Sequence, residues 1–174
     1  NDGSGDDSGH VRVYEWDGTL WAQQGADIEG DEFDQSGRSV SLSSDGSVLA
    51  IGAPSNDGNG SNSGRVRVYE WDGIVWAQRG SDIDGEAAED HSGGSVSLSS
   101  DGSVLAIGAD YNDGNGSKSG HVRVYEWDGM AWQQRGVDID GEAAEDESGG
   151  SVSLSSDGSV LAIGARLNSG NGVQ

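Results

Sequence analysis

Apolar residues in this chain come in short clusters that return at almost constant intervals. In "SVSLS" (39–43) Val40 and Leu42 alternate with serines, the period-two signal of a half-covered strand. "SVLAIGA" (47–53) is a near-continuous apolar run, as expected of a strand covered on both faces. "RVRVYEW" (65–71) places Val66 and Val68 on one face and Arg67, Tyr69 and Trp71 on the other. "IVWAQRGSDI" (74–83) supplies a fourth strand. Turn chemistry separates these runs: "SDG", with Gly46 suited to positive φ, and "DG" at Asp72–Gly73. A long polar loop runs from Pro54 to Gly64, and no segment carries a helical period or a helix-length apolar face.

The pattern repeats. "VRVYEWDG" begins at Val11, Val66 and Val122, steps of 55 and 56 residues, and "SVSLSSDGSVLAIGA" begins at Ser39, Ser95 and Ser151, two steps of 56. The missing residue falls in an acidic, Gly-bearing loop, where length variation is tolerated. Four antiparallel strands in about 55 residues, repeated, predict an all-β β-propeller built from near-identical four-stranded antiparallel blades. The spacing divides one array into blades 39–94 and 95–150, with 1–38 supplying the third and fourth strands of a blade completed by 151–174. That makes three blades, against roughly four to eight in propellers generally, and it leaves open sheet edges. The expected partner is therefore the chain itself: a homodimer closing a six-bladed ring, or neighbouring repeats in a longer array.

Charge narrows the partners. With 31 Asp plus Glu, 9 Lys plus Arg and a net charge of -22, the chain would be repelled by nucleic acid and by an anionic membrane surface. No stretch is long and apolar enough for membrane insertion. Cations, cationic partners or neutral glycans and surface proteins remain open. The absence of Cys removes disulfides and thiolate metal sites.

"VSLSSDGSVLAIGA" followed by a loop and "GRVRVYEWDG" resembles the first three strands of a WD-repeat blade. The whole unit is more similar to the FG-GAP repeats of integrin α-subunit-like propellers. "IGAP" at Ile51–Pro54 keeps the family's ending, whereas Ala109–Asp110 and Ala165–Arg166 lose its proline. The resemblance implies an extracellular or cell-surface propeller used in adhesion or ligand binding, often with calcium. The family's calcium loop lies in the first hairpin with several acids. Here that hairpin is only "SSDG", with a lone Asp45, Asp101 or Asp157, so the inherited site is expected to be lost.

Other oxygen-rich segments are candidates for calcium. Asp57, Asn59 and Ser61, and again Asp113, Asn115 and Ser117, alternate like the opening of a calcium loop. "DIDGEAAED" concentrates Asp82, Asp84 and Glu86, and its next copy Asp138, Asp140 and Glu142. The paired tryptophans flank the "DG" turns. They are read first as blade packing, and alternatively, through Trp21, Trp76 and Trp132, as sugar-stacking platforms of a multivalent lectin-like propeller. Catalysis is not expected. The histidines are replaced between repeats (Arg65 stands where His10 and His121 do, Glu147 where His91 does), and near-identical blades offer no asymmetric Ser–His–Asp site. The expected role is a non-catalytic extracellular repeat module for structural assembly or adhesion.

Overall fold

The computed structural model describes residues 5–168, and their regular structure is entirely strand. Residues 1–4 and 169–174, assigned above to the first and last units, lie outside the described residues. The chain opens with β1 (His10–Val11), β2 (Tyr14–Trp16), β3 (Trp21–Gln23) and β4 (Ile28–Glu29). One full blade follows as β5 (Ser39–Leu42), β6 (Val48–Ala53), β7 (Arg65–Trp71), β8 (Trp76–Gln78) and β9 (Ile83–Asp84). The next repeats it as β10 (Ser95–Leu98), β11 (Val104–Ala109), β12 (His121–Trp127), β13 (Trp132–Gln134) and β14 (Ile139–Asp140). β15 (Ser148–Leu154) and β16 (Leu161–Ala165) begin a further blade.

Each full blade is an antiparallel meander, β5-β6-β7-β8 and β10-β11-β12-β13. Its register repeats too: Ile51 faces Arg67 in one blade as Ile107 faces Arg123 in the other. The fourth strand departs from the expected single run. Gly80, at φ 84°, turns the chain out of the ladder, so β8 and β9 pair separately with the two ends of β7. No helix in the described residues is long and apolar enough to cross a membrane.

The core lies between blades. Val48, Ala50, Val66, Val68 and Ile83 of one blade pack against Val96, Leu98, Leu105, Ile107 and Tyr125 of the next. Val11, Val13 and Ile28 meet Leu49, Ile51 and Tyr69 in the same way. A residue's burial therefore depends on whether a neighbouring blade covers it. Val96 and Leu98 are 9% and 7% exposed, whereas their counterparts Val40 and Leu42 are 52% and 48% exposed. At the array's ends, β16 pairs only with β15 and β2 only with β3 among the described residues.

The first hairpin closes on a carboxylate. Asp45 Oδ1 accepts from Ser43 Oγ (2.7 Å), Ser47 N (3.0 Å) and Ser47 Oγ (2.8 Å), and Asp101 and Asp157 do the same. These donors hold the Asp45 and Asp157 carboxyls at about 2, below an ordinary 3.8, and lower Asp101 as well. A carboxyl depressed by folding stabilises the fold fully above its unfolded value, and that contribution is lost as pH falls toward 2. The triple variant Asp45→Asn, Asp101→Asn, Asp157→Asn is expected to melt below the parent at pH 7. The gap should close between about pH 4 and pH 2; calorimetry across that range checks it, and a pH-independent gap would refute it.

Candidate functional site

Asp45 Oδ1 is already engaged by its own turn, and a hairpin with one carboxylate offers few of the six to eight oxygens that calcium takes. The polar loops are also engaged internally. Asp57 Oδ1 accepts from Asn62 N (2.8 Å), and Asn59 Nδ2 donates to the carbonyls of Gly85 and Glu86 (both 2.9 Å). Asp113 and Asn115 repeat this with Lys118 N and with Gly141 and Glu142 carbonyls. Ser61 and Ser117 accept through their backbone carbonyls from Glu89 and Glu145. These loops thereby fasten to the acidic segments that follow β8 and β13.

The acidic segments serve the boundary between blades. Arg65 donates to Asp31 (2.7 Å) and Asp34 (2.5 Å) of the preceding unit and to Asp82 (3.0 Å) of its own, while Gln78 also donates to Asp82. At the next boundary His121 replaces the arginine. Its Nδ1 lies 3.8 Å from Glu86, and ligand atoms of Glu86, His121 and Asp138 lie within 4.8 Å of one another, a group that could hold a metal ion. Burial, then Arg123, push the His121 pKa down, which keeps the imidazole in the neutral form that metals bind. One nitrogen with two carboxylates suits a first-row divalent metal better than calcium. Of the sequence candidates, Glu86 and Asp138 are thus brought together, with a histidine that sequence reading did not join to them. Asp84 and Asp140 sit in β9 and β14, and Glu142 serves through its carbonyl.

The tryptophans pack from blade to blade. Trp76 Nε1 donates to Gln24 O (3.1 Å) and Trp132 Nε1 to Arg79 O (3.0 Å). The Trp71–Trp76 and Trp127–Trp132 rings lie 5.4 Å apart, and the Arg79 guanidinium stacks 4.9 Å from Trp127. Trp21, at the array's end, is 64% exposed.

A different set of residues forms the cavity. About 190 Å³ is enclosed by Arg38, Pro54, His91, Gly94, Asp110, Tyr111, Gly150 and Arg166. These come from equivalent places: Arg38, Gly94 and Gly150 stand at the start of successive first strands, and Pro54, Asp110 and Arg166 directly follow the "IGA" strands. The His91 ring stacks on Tyr111 with centroids 4.5 Å apart. Glu147, the counterpart of His91, accepts from Arg166 Nε at 2.5 Å. Burial pushes the Asp110 carboxyl up. Near-identical repeats therefore converge with their non-identical residues on one asymmetric polar site. Sequence comparison for differences, rather than likeness, would have found it.

Repeated antiparallel blades with a core between them define a propeller-type repeat protein. The chain belongs to the FG-GAP repeat family, which matches residues 26–69 and 82–125. No curated protein matches it in sequence. It is similar to the solved structure of a periplasmic gluconolactonase, PpgL, from Pseudomonas aeruginosa, at 20% identity and a TM-score of 0.51. The match covers 90% of this chain and 43% of that one. This corrects the expectation that the chain is not an enzyme: the fold is shared with an enzyme, so it does not argue against catalysis. The asymmetry that near-identical blades were expected to lack is present in the cavity.

Proposed function

We propose that the chain is an extracellular propeller-repeat module for adhesion or structural assembly, and that the cavity of non-repeating residues is its recognition site. The carrying observation is that Arg38, His91, Asp110, Tyr111 and Arg166, where the repeats differ, line one enclosure. On a surface of net charge -22 two guanidiniums stand together here, and Arg38 makes no ion pair among the described residues. Guanidinium favours a carboxylate ligand, and Asp110 favours hydroxyls. The ligand that fits is an acidic sugar or a glycan end carrying one. The gluconolactonase likeness adds an assay for lactone hydrolysis on the same samples.

An array of acidic and neutral glycans, followed by titration with glucuronate, tests this reading. Carboxylated sugars should bind, and Arg38→Ala should weaken them by roughly 10-fold or more, as loss of a charge-assisted hydrogen bond does. Silence toward acidic sugars, or binding indifferent to Arg38→Ala and Asp110→Ala, overturns it. Loss on Trp76→Ala alone would instead favour the multivalent lectin-like reading. Cation dependence belongs at Glu86, His121 and Asp138. Melting with calcium, zinc or chelator, on the parent and on His121→Ala, reads whether that group is used.

A further inference from the structure

Two boundaries between units use the same carboxylates but a different residue to meet them. Arg65 opens β7 and His121 opens β12, and their backbones share a register. Arg65 faces Ala53 and Asp84, and His121 faces Ala109 and Asp140. Both side chains therefore leave the sheet at the same point of the joint. Around Arg65 stand Asp31 and Asp34 of the preceding unit and Asp82 of its own, and the guanidinium bonds all three. The equivalent places around His121 hold Glu86, Asp90 and Asp138.

The acids are thus retained where the arginine is not. An imidazole has two nitrogens and none of the forked donors of a guanidinium. The His121 side chain is 2% exposed, and neither ring nitrogen makes a hydrogen bond among the described residues. Its Nδ1 points at Glu86 Oε2 from 3.8 Å, beyond hydrogen-bond reach. Glu86 Oε1 faces Arg123 Nη1 at 3.7 Å. Arg123 does not substitute for Arg65, because its own counterpart is Arg67: Arg67 donates to Glu29 O as Arg123 does to Asp84 O. The carboxylates that Arg65 and Arg67 balance at one boundary are left to Arg123 at the other.

We propose that a first-row divalent metal ion binds Glu86, His121 and Asp138 and clamps blade 39–94 to blade 95–150, standing where the guanidinium stands at the other boundary. Ligand atoms of the three already lie within 4.8 Å of one another. Zinc holds such nitrogen and oxygen ligands at about 2.0–2.2 Å, so they must draw closer around the ion. Glu86, with a side chain 43% exposed, is free to make that movement, while His121 is held by its burial. Asp138 is already turned for the task. Gln134 holds its Oδ1 at 2.6 Å as Gln78 holds Asp82 Oδ1 at 2.7 Å, and on Asp82 the other oxygen is the one that meets Arg65. Side-chain lengths compensate as well: where the basic residue shortens from Arg65 to His121, the facing acid lengthens from Asp31 to Glu86. A ring nitrogen with two carboxylates favours this class of ion over calcium, which takes oxygen. The proposal rests on the cation reading of this group and not on the cavity.

Zinc chloride titrated into chelator-treated chain, read by calorimetry and native mass, tests it. One ion should bind per chain, and the melting temperature should rise with it. His121→Ala should weaken binding by about 100-fold or more, since even the partners behind a ligand are worth roughly 10- to 100-fold. His121→Arg should lose the ion and melt alike with and without chelator. The reverse exchange, Arg65→His with Asp31→Glu, should gain a second zinc per chain, lost again on adding Asp82→Asn. Acidic-sugar binding by His121→Ala should match the parent, so failure here and failure at the cavity are told apart. A parent that binds no zinc overturns the proposal, as does zinc binding indifferent to His121→Ala. So does displacement of zinc by an equal concentration of calcium, or a folded reverse exchange that gains no second ion.

Discussion

Gly108→Ala is expected to cost about 3 kcal/mol, the upper end for overpacking, although it adds a single methyl group. The new Cβ would lie 2.0 Å from Gly149 O and 2.5 Å from Ser95 Oγ. The serine can rotate; the carbonyl belongs to the turn leading into the next blade and cannot. Gly52 stands in the same relation to Gly93 O, also at 2.0 Å, so the glycine of "IGA" is where one blade's backbone passes directly over the next. Gly94→Ala is the matched control. Its Cβ would find only His91 O at 3.4 Å and Asp110 Oδ1 at 3.6 Å, and stability should stay within about 0.5 kcal/mol. Urea unfolding of the pair decides the matter: similar midpoints would show that blade contact does not require the glycine.

Trp132→Ala is expected to cost about 3 kcal/mol. It removes the ring packed against the core, the hydrogen bond to Arg79 O and one face of the Arg79 stack, 5.8 Å from the Trp132 centroid. Trp21→Ala, the same change in the same local sequence, should cost less than about 1 kcal/mol, because Trp21 is 64% exposed and its ring meets Trp16 but no neighbouring blade among the described residues. Denaturant titration of both variants tests whether the blade boundary, and not the hairpin, makes these tryptophans matter. Equal losses would assign their worth to the hairpin.

The strands were legible because alternation and turn chemistry act locally. Val40 and Leu42, Gly46, and Asp72–Gly73 announce their places without reference to the rest of the chain. The break between β8 and β9 was not legible, since a single Gly80 reads as an ordinary strand glycine until the long partner strand β7 is known. In the oxygen-rich loops the sequence shows the side chains but not the backbone groups that they bond, such as Asn62 N on Asp57 and Lys118 N on Asp113. The cavity was hidden for a different reason. Its residues lie up to 128 positions apart, from Arg38 to Arg166, and each looked like a tolerated slip in a repeat. His91 and Glu147 argued against a site when taken as imperfect copies; in three dimensions they face one enclosure and its salt bridge.

Contacts between blades run from one repeat to the next, as Trp132 reaches Arg79 and Leu98 N reaches Ser41 Oγ. Gain or loss of one whole unit would therefore leave the tryptophan and serine contacts with equivalent partners, while the Arg65 and His121 positions would change theirs. A 55- or 56-residue unit is thus a quantum of growth: blades come and go as whole units, and the repeated contacts of the joint between them are kept.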